Sequence, residues 1–84
     1  MTQTFRLPVL LFGRHREIAG ESVVEIDLAV GGTVADLRAA LARHPDLGAG
    51  LEGAAVAVNR RYESDDAHLA DGDEVAVIPP VAGG

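Results

Sequence analysis

The sequence predicts a single α+β domain, in which one main helix covers one face of a mixed sheet and a side-chain-poor C-terminal tail protrudes. Three observations predict this. Residues 5–12, 22–28, 54–58 and 74–78 have the apolar content or alternation of strands, and only the segment after Gly31-Gly32 has the spacing of an amphipathic helix. The order strand, strand, helix, strand, strand supplies one helix for one sheet face, which is α+β rather than a doubly wound sheet. After Ile78 the pattern stops at Pro79-Pro80, and four small or slender residues, Val81, Ala82, Gly83 and Gly84, follow. Residues 1–78 are therefore assigned to the domain and 79–84 to a flexible tail.

The run 5–12 (FRLPVLLF), bounded by Gly13, reads as a strand buried on both sides. Pro8 calls for a place where its missing donor does no harm. The stretch GRHREIAG that follows has Ile18 as its one large apolar anchor and reads as a turn or a single helical turn closed by Gly20. In SVVEIDL, Val24, Ile26 and Leu28 point one way and Glu25 and Asp27 the other, giving a half-buried strand in a hairpin with the first. Thr33 reads as an N-cap, with Asp36 at the third helical position to complete a capping box and complement the helix dipole.

Val34, Leu37 and Leu41, with Ala40 beside them, form the apolar stripe of this helix. It should stop near Arg43 or His44, because the residue before Pro45 is pushed out of helical geometry. Residues 45–53 are Gly-rich and loop-like, with Leu47 and Leu51 pinned to the core. A strand of small and branched residues ends at the turn-prone Asn59, and Leu69 anchors the polar stretch that leads to the turn at Asp71-Gly72-Asp73. The first and last strands are the most apolar, so they lie side by side in the middle of the sheet. A chain of this length with this order resembles the β-grasp, or ubiquitin-like, fold.

Strand parity then makes a prediction about surface. If Val75 and Val77 face the helix, Ala76 and Ile78 face away from it, as Leu10 and Phe12 oppose Val9 and Leu11. The helix-free face would carry an apolar patch that Tyr62 could join, available to a partner; the alternative is that loops cover it.

Composition limits the chemistry. The 84 residues make one small domain, and a net charge of −6 lacks the basic footprint that nucleic acid requires. All seven basic residues are arginines, so no lysine amine is present for a Schiff base or an isopeptide acceptor. Without cysteine, disulfides, thiolate metal sites and thiol catalysis are excluded. No stretch approaches the roughly 20 apolar residues of a membrane span, and no signal-peptide pattern opens the sequence, so the expectation is a cytoplasmic protein.

His15, His44 and His68 lack the spacing of a metal site, and no metal is expected. Glu63, Asp65, Asp66, Asp71, Asp73 and Glu74 cluster in sequence without a His or Ser partner, and read as solvated turn residues. Gly31-Gly32 before the helix lacks both the spacing and the Lys of a phosphate loop. What remains is the tail. Gly83 and Gly84 carry no Cβ and can thread a channel too narrow for other residues, while Pro79 and Pro80 stiffen the base. The terminal carboxylate is a poor electrophile that an ATP-dependent enzyme could activate.

The segment AVAVNRRYESDDAHLADGDEVAVIPPVAGG closely resembles the sulfur-carrier small subunit of molybdopterin synthase, and VLLFGRHREIAG resembles the first strand and turn of that family. The DGDEVA run followed by PPV and Gly-Gly is the specific part of the match. The resemblance implies that an activating enzyme uses ATP to adenylate Gly84, that a sulfur donor converts it to a thiocarboxylate, and that the tail enters the large catalytic subunit of a heterotetramer. There its sulfur would attack cyclic pyranopterin monophosphate to build the molybdopterin dithiolene. The chain itself would be a non-catalytic, sulfur-donating subunit with no bound cofactor.

On the same basis Gly84 is the modified residue, and Pro80, Val81 and Gly83 shape the threading tail. Phe12, Tyr62 and Ile78 fall at the family's apolar docking patch. Related members often carry aromatics where Val77 and Ile78 stand, which implies a smaller patch here. Three other readings stay open: a sulfur carrier for thiazole synthesis, tRNA thiolation or cysteine synthesis; a ubiquitin-like protein tag; and a plain interaction module.

Overall fold

A computed structural model of the chain describes residues 3–44, 47–51 and 53–80. Strands β1 (Thr4–Leu11) and β2 (Val23–Ala29) form the expected antiparallel hairpin, in register from Thr4 opposite Ala29 to Leu10 opposite Val23. Their connection is more than a single helical turn. It is a seven-residue helix, α1 (Gly13–Ala19), closed by Gly20 at φ +76°, whose N–H donates to the Arg16 carbonyl at 2.9 Å. The expected anchor is also corrected: Ile18 is 44% exposed, and His15 is the fully buried side chain. The phase of the helix turns His15 and, four residues on, Ala19 toward the core and leaves Ile18 outside that pair.

Thr33 caps the second helix, α2 (Val34–Ala42), as its sequence requires. The Asp36 N–H donates to Thr33 Oγ1 at 3.4 Å, and the Thr33 N–H donates to Asp36 Oδ2 at 2.9 Å. Val34, Leu37 and Leu41 are buried, and the helix ends with Arg43 as its C-cap. A short 3₁₀ turn at Gly48–Leu51 follows, with Leu47 buried and Leu51 half-buried against the core.

Strands β3 (Ala55–Val58), β4 (Arg61–Tyr62) and β5 (Val75–Ile78) complete a five-stranded sheet of order β2-β1-β5-β3-β4. The central pair β1·β5 is parallel and the remaining pairs are antiparallel, so the sheet is mixed, with the first and last strands adjacent at its centre. The two-residue β4 has no counterpart among the strands expected from sequence. It is created by a tight turn in which Asn59 (φ +52°) and Arg60 (φ +70°) are both left-handed, the geometry that follows the twist of a hairpin.

The long segment between β4 and β5 is tied to the start of α2. Leu69 N–H donates to the Gly32 carbonyl, Val34 N–H to the Ala67 carbonyl, and Arg38 pairs with Asp65 at 2.8 Å while donating to the Ala54 carbonyl at 2.7 Å. Leu69 is buried, as expected of an anchor.

The core lies on one side of the sheet. Leu7, Val9 and Leu11 of β1, Val24, Ile26 and Leu28 of β2, and Val75 and Val77 of β5 all point into it. The expectation that β1 is buried on both faces does not hold: Arg6 and Pro8 are exposed and Leu10 is half-buried. The apolar run in β1 serves two different surfaces, the core and a groove on the opposite face. No helix among the described residues is long and apolar enough to cross a membrane.

Candidate functional site: the helix-free face and the base of the tail

The register of the strands builds a cross-sheet row on the face opposite α2. Val23 lies opposite Leu10, Leu10 beside Ala76, Ala76 opposite Ala57, and Ala57 opposite Tyr62. In the next row Ile78 of β5 lies opposite Ala55. These positions have the parity expected for residues facing away from the helix. A groove of about 270 Å³ runs over them, lined by Leu10, Phe12, Ala57, Arg60, Tyr62, Glu74, Ala76 and Ile78.

The structure thus brings Phe12, Tyr62 and Ile78 together. Phe12 is 45% exposed and Tyr62 71%, so neither ring belongs to the core, while Ile78 is half-buried on the groove floor. The small side chains of Ala57 and Ala76 leave the depression that the larger residues surround. Sequence reasoning missed Arg60 as a lining residue, and read Glu74 as a solvated turn residue at the start of the last strand rather than as part of a groove.

Both ends of the face carry charge. Across the β1–β2 hairpin, Arg6 donates to Asp27 at 3.1 Å and Glu25 at 3.4 Å. The hydrogen bond to Asp27, followed by the charges of Asp27 and Glu25, holds the Arg6 guanidinium above its ordinary pKa. At the other end Arg60 pairs with Glu74 at 3.6 Å.

The acidic turn is specified by hydrogen bonding, as its sequence implied. Asp73 accepts from the Ala70 N–H at 2.8 Å and from the Asn59 side chain at 3.1 Å, and Gly72 takes φ +92°. Asn59 further binds Glu74 through both backbone and side chain, at 2.7 Å and 3.0 Å, which fixes the β3–β4 turn against the start of β5.

Ile78 is both a groove residue and the last residue of β5, so the tail leaves from the edge of the groove. Its base passes between two glycines from neighbouring segments. A Cβ on Gly13, at φ +55°, would stand 3.1 Å from Pro79 Cγ, tighter than ordinary van der Waals contact. On the other side, a Cβ on Gly53, at φ +79°, would stand 3.7 Å from Pro80 Cγ. Val81, Gly83 and Gly84, the remaining residues assigned to the tail's chemistry, lie outside the described residues.

The histidines are in unlike surroundings. His15 is buried, His44 follows the end of α2, and His68 Nδ1 lies 2.9 Å from the Gly31 carbonyl oxygen. Among the described residues no group of three or more His, Cys, Asp or Glu side chains is arranged to hold a metal ion.

Comparison with known proteins places this arrangement. The ThiS family profile matches residues 9–84. The molybdopterin synthase sulfur carrier subunit of Chlamydomonas reinhardtii is 39% identical over 82 residues, covering 94% of this chain and 99% of the relative. Among solved structures, the small archaeal modifier protein SAMP1 of Haloferax volcanii superposes with a TM-score of 0.82 at 30% identity, covering 95% of this chain and all of that one (100%). A chain from the complex of subunits 1 and 2 of the molybdopterin-converting factor of Helicobacter pylori gives a TM-score of 0.70 at 28% identity, covering 95% and 100%. The fold is the ubiquitin-like β-grasp, and the chain belongs to the ThiS family and, within it, to the molybdopterin synthase sulfur carrier subunits.

Proposed function

We propose that this chain is the sulfur-donating small subunit of a molybdopterin synthase, acting through the carboxylate of Gly84. The observation that carries the reading is the continuity of groove and tail. Ile78 lines the groove and Pro79 begins the tail, so a protein seated on the helix-free face meets the base of the tail. The Helicobacter pylori neighbour was solved as a complex of two subunits, which supports a large catalytic subunit as that protein. Phe12, Tyr62 and Ile78 are the docking contacts in this reading.

The chemistry proceeds in balanced steps. An ATP-dependent activating enzyme lets a carboxylate oxygen of Gly84 attack the α-phosphate, releasing pyrophosphate and leaving an acyl-adenylate. Sulfide supplied by a sulfur donor then attacks the acyl carbon, loses its proton, and AMP departs, giving a thiocarboxylate. In the large subunit the terminal sulfur attacks a side-chain carbon of cyclic pyranopterin monophosphate, and the carbon–oxygen bond there breaks, its oxygen leaving with the phosphate or as water. Water then cleaves the acyl carbon–sulfur bond and restores the carboxylate. One dithiolene needs two sulfurs, which fits a heterotetramer with two carriers.

The carrier contributes no catalytic side chain. Its part is to present a side-chain-poor acyl terminus, for which Pro80, Val81 and Gly83 are suited by stiffness at the base and little bulk toward the tip. Use of ATP by the activating enzyme is compatible with the cytoplasmic location proposed for the chain.

A second reading is favoured by the likeness to SAMP1: the chain would be a protein modifier, with an amine in place of the sulfur nucleophile. Reconstitution separates the two. With activating enzyme, ATP, sulfur donor, large subunit and cyclic pyranopterin monophosphate, the carrier reading expects molybdopterin to form. No product, together with a ladder of protein conjugates in cell extract, would overturn it in favour of the modifier.

A further inference from the structure

We propose that Arg60 is a specificity-determining docking residue that reads a carboxylate on the large subunit. The proposal rests on the docking reading given above and adds a polarity to it.

The first observation is conformational. Arg60 holds φ +70° at the second position of a two-residue hairpin turn, where glycine is the preferred residue. Its neighbour Asn59, at φ +52°, is accounted for by the fold: asparagine tolerates this region, and its backbone and side chain bind Asp73 and Glu74. Arg60 has no comparable structural reason. Its ion pair with Glu74 is 3.6 Å long, and its side chain is 86% exposed, a setting in which such pairs contribute little to stability. An unfavourable backbone geometry kept without a structural return points to a use for the side chain.

The second observation is position. Arg60 lines the groove beside Ala57 and Ala76, with Glu74 as the other charged lining residue. The third is charge. The chain carries a net −6, so the long-range field favours a basic partner surface. A cation at the groove works against a uniformly basic partner. It matches one that presents a carboxylate at that place, with a basic group next to it to face Glu74. Charge pairs of this kind select the correct partner and fix register more than they add affinity.

The test is Arg60→Gly in the full chain, measured against the large synthase subunit by titration calorimetry at low and moderate salt, with thermal denaturation of the free chain in parallel. The two readouts should move in opposite directions. Relief of the left-handed backbone raises Tm by about 4 °C. Loss of the guanidinium weakens binding about tenfold and flattens its salt dependence. Arg60→Lys, which keeps the charge, should recover part of the affinity without the rise in Tm. Wild-type affinity and salt dependence in Arg60→Gly would overturn the proposal while leaving the carrier reading intact. A fall in Tm on the same substitution would overturn its conformational premise. Failure of the wild-type chain to bind the large subunit would instead remove the docking reading itself.

Discussion

Val77 and Ile78 are neighbours in sequence, yet β5 points them to opposite faces, and substituting each by alanine separates folding from docking. Val77 is 1% exposed and lies in the core. Removing its two methyl groups forfeits about 0.8 kcal/mol per buried carbon, and a partly unrelaxed cavity brings the loss to about 2–3 kcal/mol. At about 4–8 °C per kcal/mol for a domain of this size, Tm should fall by at least about 8 °C. Ile78 is half-buried on the groove floor, so Ile78→Ala should cost the free chain only about 1 kcal/mol.

The order reverses on binding. A partner that covers the groove buries the rest of Ile78, and truncation should weaken docking by about 1.4 kcal/mol, or tenfold. Val77→Ala should leave the affinity of the folded chain within about twofold of wild type. Thermal denaturation followed by circular dichroism and titration calorimetry with the large subunit provide the two measurements. Equal loss of stability in the two variants, or a tenfold loss of affinity in Val77→Ala, would refute the assignment of the two faces.

Two further outcomes follow from the cap and the tail. Thr33→Ala removes the acceptor of the Asp36 N–H and should lower stability by about 1 kcal/mol, read as a drop in Tm of about 4 °C or more, with docking unchanged. An unaltered Tm would show that the reciprocal cap contributes nothing. Deleting Gly84, or replacing Gly83 with leucine, should abolish sulfur transfer and leave Tm at the wild-type value; a large fall in Tm would make the tail part of the fold.

What was legible in the sequence was what local chemistry determines. The alternation in β2 and the Thr33–Asp36 pair each carry their own signal within a few residues, and the structure has both. The central adjacency of β1 and β5 followed from their apolar content, and the outward side of Ile78 followed from parity. Helix α1 carries little sequence signal because it has no apolar stripe: its one fully buried side chain is a histidine, and its large aliphatic residue, Ile18, is exposed.

The two faces of β1 are not distinguishable in the sequence for a related reason. An apolar run has the same appearance whether its second face meets a helix or a groove. Strand β4 gave no signal, because its two residues are both exposed and it exists only through the turn at Asn59-Arg60. Arg60 itself was illegible for a non-local reason. Its place on the groove depends on the β3–β5 register and on a backbone angle, neither of which is written in its immediate neighbours.

In the proposed function the carboxylate of Gly84 is the group this protein presents for activation. Intact-protein mass spectrometry after incubation with the activating enzyme, ATP and a sulfur donor tests it directly. The expected result is a mass gain equal to replacement of one oxygen by sulfur, located in the C-terminal peptide, dependent on ATP and absent from the chain lacking Gly84. An unchanged mass, or a gain located at any other residue, would contradict it.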